Sequence, residues 1–168
     1  MKRELDTEGI LLASFQAKVC ALSLSRVEVS SPIFLRRLMK SDLLMKVDEG
    51  NSATLSLDED EAFAELERQY GIRSYGKIRY SEGALHWIGW MYRYIAYTRH
   101  APSRLVYRLI KPDYLNSVYP VYHTQDEEWA FARILESRGL TEADFDINER
   151  FKALFRKKLE DGTYLSGK

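Results

Sequence analysis

The sequence predicts an all-α fold, a single-domain helical bundle with a central aromatic-rich helix at about 81–99. Three observations predict it. The stretch Tyr80 to Arg99 reads as one helix that is apolar around most of its circumference. Several further amphipathic runs are bounded by capping residues, glycine or proline. Strand-like alternation is not sustained anywhere, and only the short segments Val27 to Val29 and Ile78 to Tyr80 could pair locally.

In chain order, Asp6 or Thr7 can cap a first helix reaching to about Leu24, with Leu12, Phe15, Val19 and Leu22 as its buried stripe. Ser31 followed by Pro32 starts the next, because a proline in the first turn gives up an N–H that has no partner there. The Leu- and Met-rich run after it has a break at Ser41 and Asp42 and ends by Gly50, with Met39 and Met45 as adaptable packing residues. After a polar linker, Asp48 to Thr54, the pair Ser56 and Glu59 matches a capping box. Asp58 to Glu61 then suit the positive end of the helix dipole. Phe63, Leu66 and Tyr70 form its buried stripe and Gly71 its terminator.

The central helix has Ser81 as N-cap and Glu82 in its first turn, and it stops at Arg99, His100 and Pro102. Its only polar strip is Glu82, His86, Arg93 and Tyr97, while Gly89 and Ala96 let a neighbour approach closely. Short turns follow at Ser103 to Ile110 and Asp113 to Tyr119, each ended by a proline. Thr124 with Glu127 forms a second capping box for a helix from about Gln125 to Arg138, closed by Gly139. A last helix sets Ile147, Phe151, Leu154 and Phe155 on one side. Arg150, Lys152, Arg156, Lys157 and Lys158 lie largely on the other side or toward its C-terminal end. A solvated outer helix is preferred there to a basic membrane-surface helix. Residues 1–160 are taken as one domain and 161–168 as a flexible tail.

At 168 residues, with 45% hydrophobic and 30% charged residues, the chain is long enough to bury a core of its own. Its formal net charge of +0 supplies no global field toward nucleic acid or membrane, so any electrostatic function is local. The apolar run Ile10 to Leu24 is interrupted by Gln16 and Lys18 and preceded by Glu4, Asp6 and Glu8, which argues against a leader peptide or a span. Cys20, the single cysteine, reads as a buried small hydrophobe in a reducing compartment. A soluble, cytoplasmic protein with no membrane partner is expected.

No phosphate-loop, dinucleotide, zinc-protease or nucleophile-elbow motif occurs, and the three histidines lack ligand spacing, so neither a metal nor an organic cofactor is expected. An enzyme reading has only the polar strip to use. Glu82 could orient the His86 imidazole while Arg93 and Tyr97 hold an anion. A solvent-facing stripe has the same pattern, and no catalytic residue is assigned. His123 beside Asp126 lacks a nucleophile or second base.

From Gly71 to Lys111 the balance turns basic. Arg73, Lys77, Arg79, Arg93, Arg99, Arg104, Arg108 and Lys111 meet only Glu82 as an acid, interleaved with tyrosines and tryptophans. Together with Tyr97, the first seven are candidate partner-binding residues, since Tyr, Trp and Arg are the types most enriched at binding hot spots. Nucleic acid, alone or as operon autoregulation, is the alternative, because cations interleaved with aromatics can contact phosphates and stack bases.

The residues Gly76-Lys77, Tyr80-Ser81, Ala84-Leu85, Trp87, Gly89, Tyr92-Arg93-Tyr94, Tyr97-Thr98, Ser103, Tyr107 and Tyr122 to Asp126 resemble the pattern of a family of small bacterial antitoxin-like proteins. Members of that family are encoded beside predicted toxins, some of them similar to ADP-ribosyltransferases. The resemblance runs from about Ser31 to Leu135 and leaves the region beyond Arg138 outside it. It implies a helical protein that binds and neutralises a protein partner, a toxin, and turns over no substrate. It carries no catalytic residues and leaves self-association open.

Overall fold

The computed structural model describes residues 2–162, apart from the side chains of Ser52 and Ala53. The last residues of the expected tail, 163–168, lie outside the described part. The fold is all-α, with no strand among the described residues. In order it comprises α1 (Thr7–Arg26), α2 (Ser31–Met39), α3 (Asp42–Asp48), a 3-10 turn (Ser52–Ser56), α4 (Glu59–Tyr70), α5 (Glu82–Thr98), α6 (Ser103–Leu109), α7 (Pro112–Tyr122), α8 (Glu127–Arg138), a 3-10 turn (Glu142–Phe145) and α9 (Ile147–Glu160).

α5 is the centre, with Leu85, Ile88, Met91, Tyr92 and Ile95 fully buried, and its most extensive contact is with α1. The face α1 turns to the core differs from the expected stripe. Gly9, Ala13, Gln16, Ala17 and Cys20 are buried beside Leu12 and Val19, whereas Leu22 is exposed and Phe15 only partly covered. Small residues win these places because the two backbones approach closely at Gly89. Burial pushes the Cys20 thiol far above its usual pKa, so it behaves as a small apolar group.

Local signals set most of the helix ends. Ser81 Oγ accepts from Ala84 N at 3.1 Å, Ser41 Oγ from Leu44 N at 3.1 Å and Asp6 Oδ1 from Gly9 N at 2.9 Å. α5 ends in a Schellman-type turn, with Ala101 N donating to Ala96 O at 2.9 Å and His100 at φ 51 where glycine is the usual occupant. Three expected starts are displaced. α2 begins at Ser31, with Ser30 as N-cap. The box before α4 is Asp58 with Glu61, because Ser56 is already spent in the 3-10 turn. α8 is capped by Asp126, which accepts from Glu128 N and Trp129 N, and Thr124 lies outside. α7 also runs on through Pro120 to Tyr122, since that proline is exposed in the last turn.

Between α4 and α5, residues 72–80 form an extended strap against the α1–α2 connection. Ser30 N donates to Tyr75 O at 3.0 Å and Ser31 N to Ile78 O at 2.8 Å, so the strap is tied to the residues just after Val29, without forming strands. The Arg79 guanidinium closes the end of α1, donating to Val27 O and Val29 O at 3.0 Å each and to Leu24 O.

α8 is held to α5 by Glu128. This half-exposed carboxylate accepts from Arg99 at 2.8 and 3.1 Å, from Lys2 at 3.0 Å and from the Tyr94 hydroxyl. Hydrogen bonding to Arg99 holds its pKa down to about 2, against the opposing effect of burial. A carboxyl whose folded-state pKa is depressed stabilises fully above its unfolded value and loses that contribution as the pH falls through the folded one. The window therefore runs from the ordinary value of 4.5 down to about 2. Glu128→Gln is expected to cost stability at neutral pH and progressively less toward about pH 3. Urea unfolding at both pH values checks this, and an equal cost at the two would refute it.

Candidate functional site

The polar strip of α5 does not form one site. Glu82 and His86 are exposed, whereas Arg93 and Tyr97 are buried. Helical rise separates Glu82 from Tyr97 by about 22 Å. Arg93, 2% exposed, donates to Gln16 Oε1 at 2.9 Å, Asp48 Oδ1 at 2.7 Å and Ser103 Oγ at 2.7 Å. Tyr97 donates to Asp6 Oδ1 at 2.5 Å and lies under the Arg3 guanidinium. Burial, reinforced by the Asp6 carboxylate, pushes the Tyr97 hydroxyl up to about 12. Both side chains hold the fold together and neither belongs to an open catalytic row.

The seven candidate cations separate in the same way. Arg79 and Arg93 are engaged as described, and Arg99 is clamped between Glu128 and Glu142 with its guanidinium over Phe131. Arg93 and Arg99 are buried ties within the fold, whereas Arg79 stays exposed with its guanidinium held by backbone carbonyls. Arg73 and Lys77 of the strap, and Arg104 and Arg108 of α6, are exposed.

These outward cations join others that the sequence reading did not single out. α2 contributes Arg36 and Arg37, and its C-cap is Lys40. Arg36 donates to the Tyr75 hydroxyl at 3.0 Å, while Arg37 donates to Arg73 O at 3.1 Å and lies over the rings of Tyr70 and Tyr75 at 5.6 and 5.2 Å. Arg104 donates to Lys40 O at 3.1 Å. Lys40 and Lys111 approach the Tyr107 ring at 5.5 and 4.2 Å. The result is one connected face across α2, the strap and α6, on which tyrosine rings keep the cations apart and oriented. Asp42 and Asp113 are the acids felt by its tyrosines. Burial raises the Tyr70 hydroxyl, with Arg104, Arg37 and Arg36 all pulling the other way.

A groove of about 510 Å³ opens at one end of this face, lined by Val29, Phe34, Phe63 and Leu66, with Arg37 and Arg73 but also Glu28 and Glu67 about it. An apolar floor beside oriented cations can take a hydrophobic anchor and fix its acidic neighbours. A second hollow, about 480 Å³, is lined by Arg93, Tyr97 and His100, but the Arg93 guanidinium there is already fully engaged. His123 Nδ1 lies 2.6 Å from Tyr119 O, and Asp126 is the α8 cap, so that pair shows no acid–base arrangement. Among the described residues no group of His, Cys, Asp and Glu is placed to hold a metal, and no helix is long and apolar enough to cross a membrane.

No known protein family, curated protein or solved structure matches this chain.

Proposed function

We propose that the protein is a non-catalytic, antitoxin-like interaction module that binds an acidic protein partner through the face formed by α2, the strap and α6. The observation that supports this most directly is the cation–tyrosine network from Arg36 to Lys111, with an apolar groove at its edge. Arg and Tyr at the centre of a face supply hot-spot contacts, and outward cations steer an acidic partner and fix its register. Hydrogen bonds and ring contacts within the face hold these long side chains before binding, which reduces the entropy lost on association. The resemblance to antitoxin-like proteins points to a toxin as the partner.

Co-expression with the product of the adjacent gene is expected to give a stable complex and to relieve any toxicity of that product. The double variant Arg37→Glu/Arg104→Glu is expected to weaken the complex by about 100-fold, since like charges placed across an interface cost several kcal/mol. Separate elution of the wild-type proteins without rescue would refute the reading. The nucleic-acid alternative predicts instead a duplex or single-strand complex that weakens steeply with salt and depends on the same two arginines.

A further inference from the structure

α9 carries an apolar surface that the bundle does not cover. Ile147, Phe151, Leu154 and Phe155 recur at helical spacing, yet none is buried, with Phe151 68% and Leu154 60% exposed. The helix is tethered at its start, where Phe145 of the preceding turn is fully buried against Phe131 and Asp146 caps the first turn. Its main contact with the rest of the fold is with that turn.

The charges of α9 are ordered about this arc. Placing successive residues roughly 100° apart puts Arg150 and Lys157 on one border and Lys152 on the other. Glu149, Glu160 and Arg156 fall roughly opposite the middle of the arc, and Lys152 also reaches Glu149 at 3.4 Å. Lys158 falls within the arc in the last turn, where a long stem can lie along apolar surface and carry its ammonium outward. Cations on both borders of an exposed apolar arc suit a planar anionic surface, into which the arc sinks while phosphates meet the border. A second copy fits poorly: two such helices would bring like charges together, and one face of this length offers on the order of 400 Å², half of what a standard interface needs per partner.

We infer that α9 is an in-plane docking helix for an anionic lipid surface. The sequence alone favours a solvated outer helix, and α9 is an outer helix with no buried residue; the inference adds a surface for its exposed arc. The inference stands independently of the protein-binding face, and its test separates the two.

The full chain is mixed with phosphatidylcholine vesicles, with and without about one third phosphatidylglycerol, and bound protein is measured by flotation at low and high salt. Binding is expected to the anionic vesicles only, to fall with salt, and to drop about tenfold or more in Phe151→Asp, which removes an exposed ring stacked on Phe155 of the same helix and so keeps the melting temperature close to that of the wild type. Lys152→Glu/Lys157→Glu should weaken it by a similar factor. No binding to anionic vesicles at low salt overturns the inference. So does binding that survives Phe151→Asp but is lost in Arg37→Glu/Arg104→Glu, which would assign the lipid to the other face. Concentration-dependent dimerisation abolished by Phe151→Asp, without vesicle binding, overturns it in favour of a second copy.

Discussion

Replacing Arg93 with Met is expected to cost about 3–5 kcal/mol, a large share of the roughly 5–15 kcal/mol that holds a domain of this size. The guanidinium is the junction of four helices: it joins α5 to Gln16 of α1, Asp48 of α3 and Ser103 of α6. Asp48, 14% exposed at its side chain, also accepts from Ser103 N and Ser103 Oγ at 2.8 Å each. It thereby supplies the start of α6 with the acceptor that Pro102 lacks. Methionine preserves much of the apolar stem but takes the countercharge from Asp48, which keeps the Ser103 donors, and the Arg93 donor from Gln16 Oε1. The double variant Arg93→Met/Asp48→Asn is expected to recover part of the loss, because the stranded charge is removed with the cation. Urea unfolding measures both, and a loss under about 1 kcal/mol for the single variant would refute the junction.

Gly89→Val is expected to cost about 3 kcal/mol or more, at the upper end for overpacking. A Cβ here would meet Gln16 O at 2.8 Å, Cys20 Sγ at 2.8 Å and Ala17 Cα at 3.0 Å. Two of these are backbone atoms, which cannot rotate away, so α1 and α5 would have to part along their shared face. Gly89→Ala is expected to lose less, because alanine recovers about 1 kcal/mol of helix propensity. Gly83→Ala is the control: the added methyl meets chiefly the hydroxyl end of Tyr119, which can swing aside. Thermal melts of the three variants compare them directly. A Gly89→Val protein as stable as Gly83→Ala would mean that the helices do not depend on this close approach.

Much of the fold was legible because its signals are local. Ser81, Ser41, Gly71 and Gly139 act within a turn of their own helix, and each was readable from its neighbours alone. Capping boxes were readable as a type but not as a position. Ser56 with Glu59 and Asp58 with Glu61 both satisfy the pattern, and the turn that consumes Ser56 decides between them. The buried face of α1 was misread for a related reason. Hydrophobicity points to Leu22 and Phe15, whereas the close approach at Gly89 selects Ala13, Ala17 and Cys20. In the candidate site, Arg73, Lys77, Arg104 and Arg108 were found from a run of basic residues, and Arg36, Arg37 and Lys40 were missed because they lie outside it. Only folding brings α2 against Tyr75 and Tyr107.

By itself the sequence determined the all-α class, the helices and most of their ends, and α5 as the centre. Those depend on periodicity and on contacts within a few residues along the chain. Tertiary structure decided what each charged or apolar side chain does. Arg93 and Arg104 look alike in sequence, yet one is buried because Asp48 meets it from α3 and the other faces outward. Phe63 and Phe151 both lie on apolar helix faces, yet Phe63 is covered by Phe34 of another helix, α2, while Phe151 stacks on Phe155 of its own helix and stays exposed. A helix pattern states which face could be buried, but burial requires a second surface, and that surface comes from residues far away along the chain.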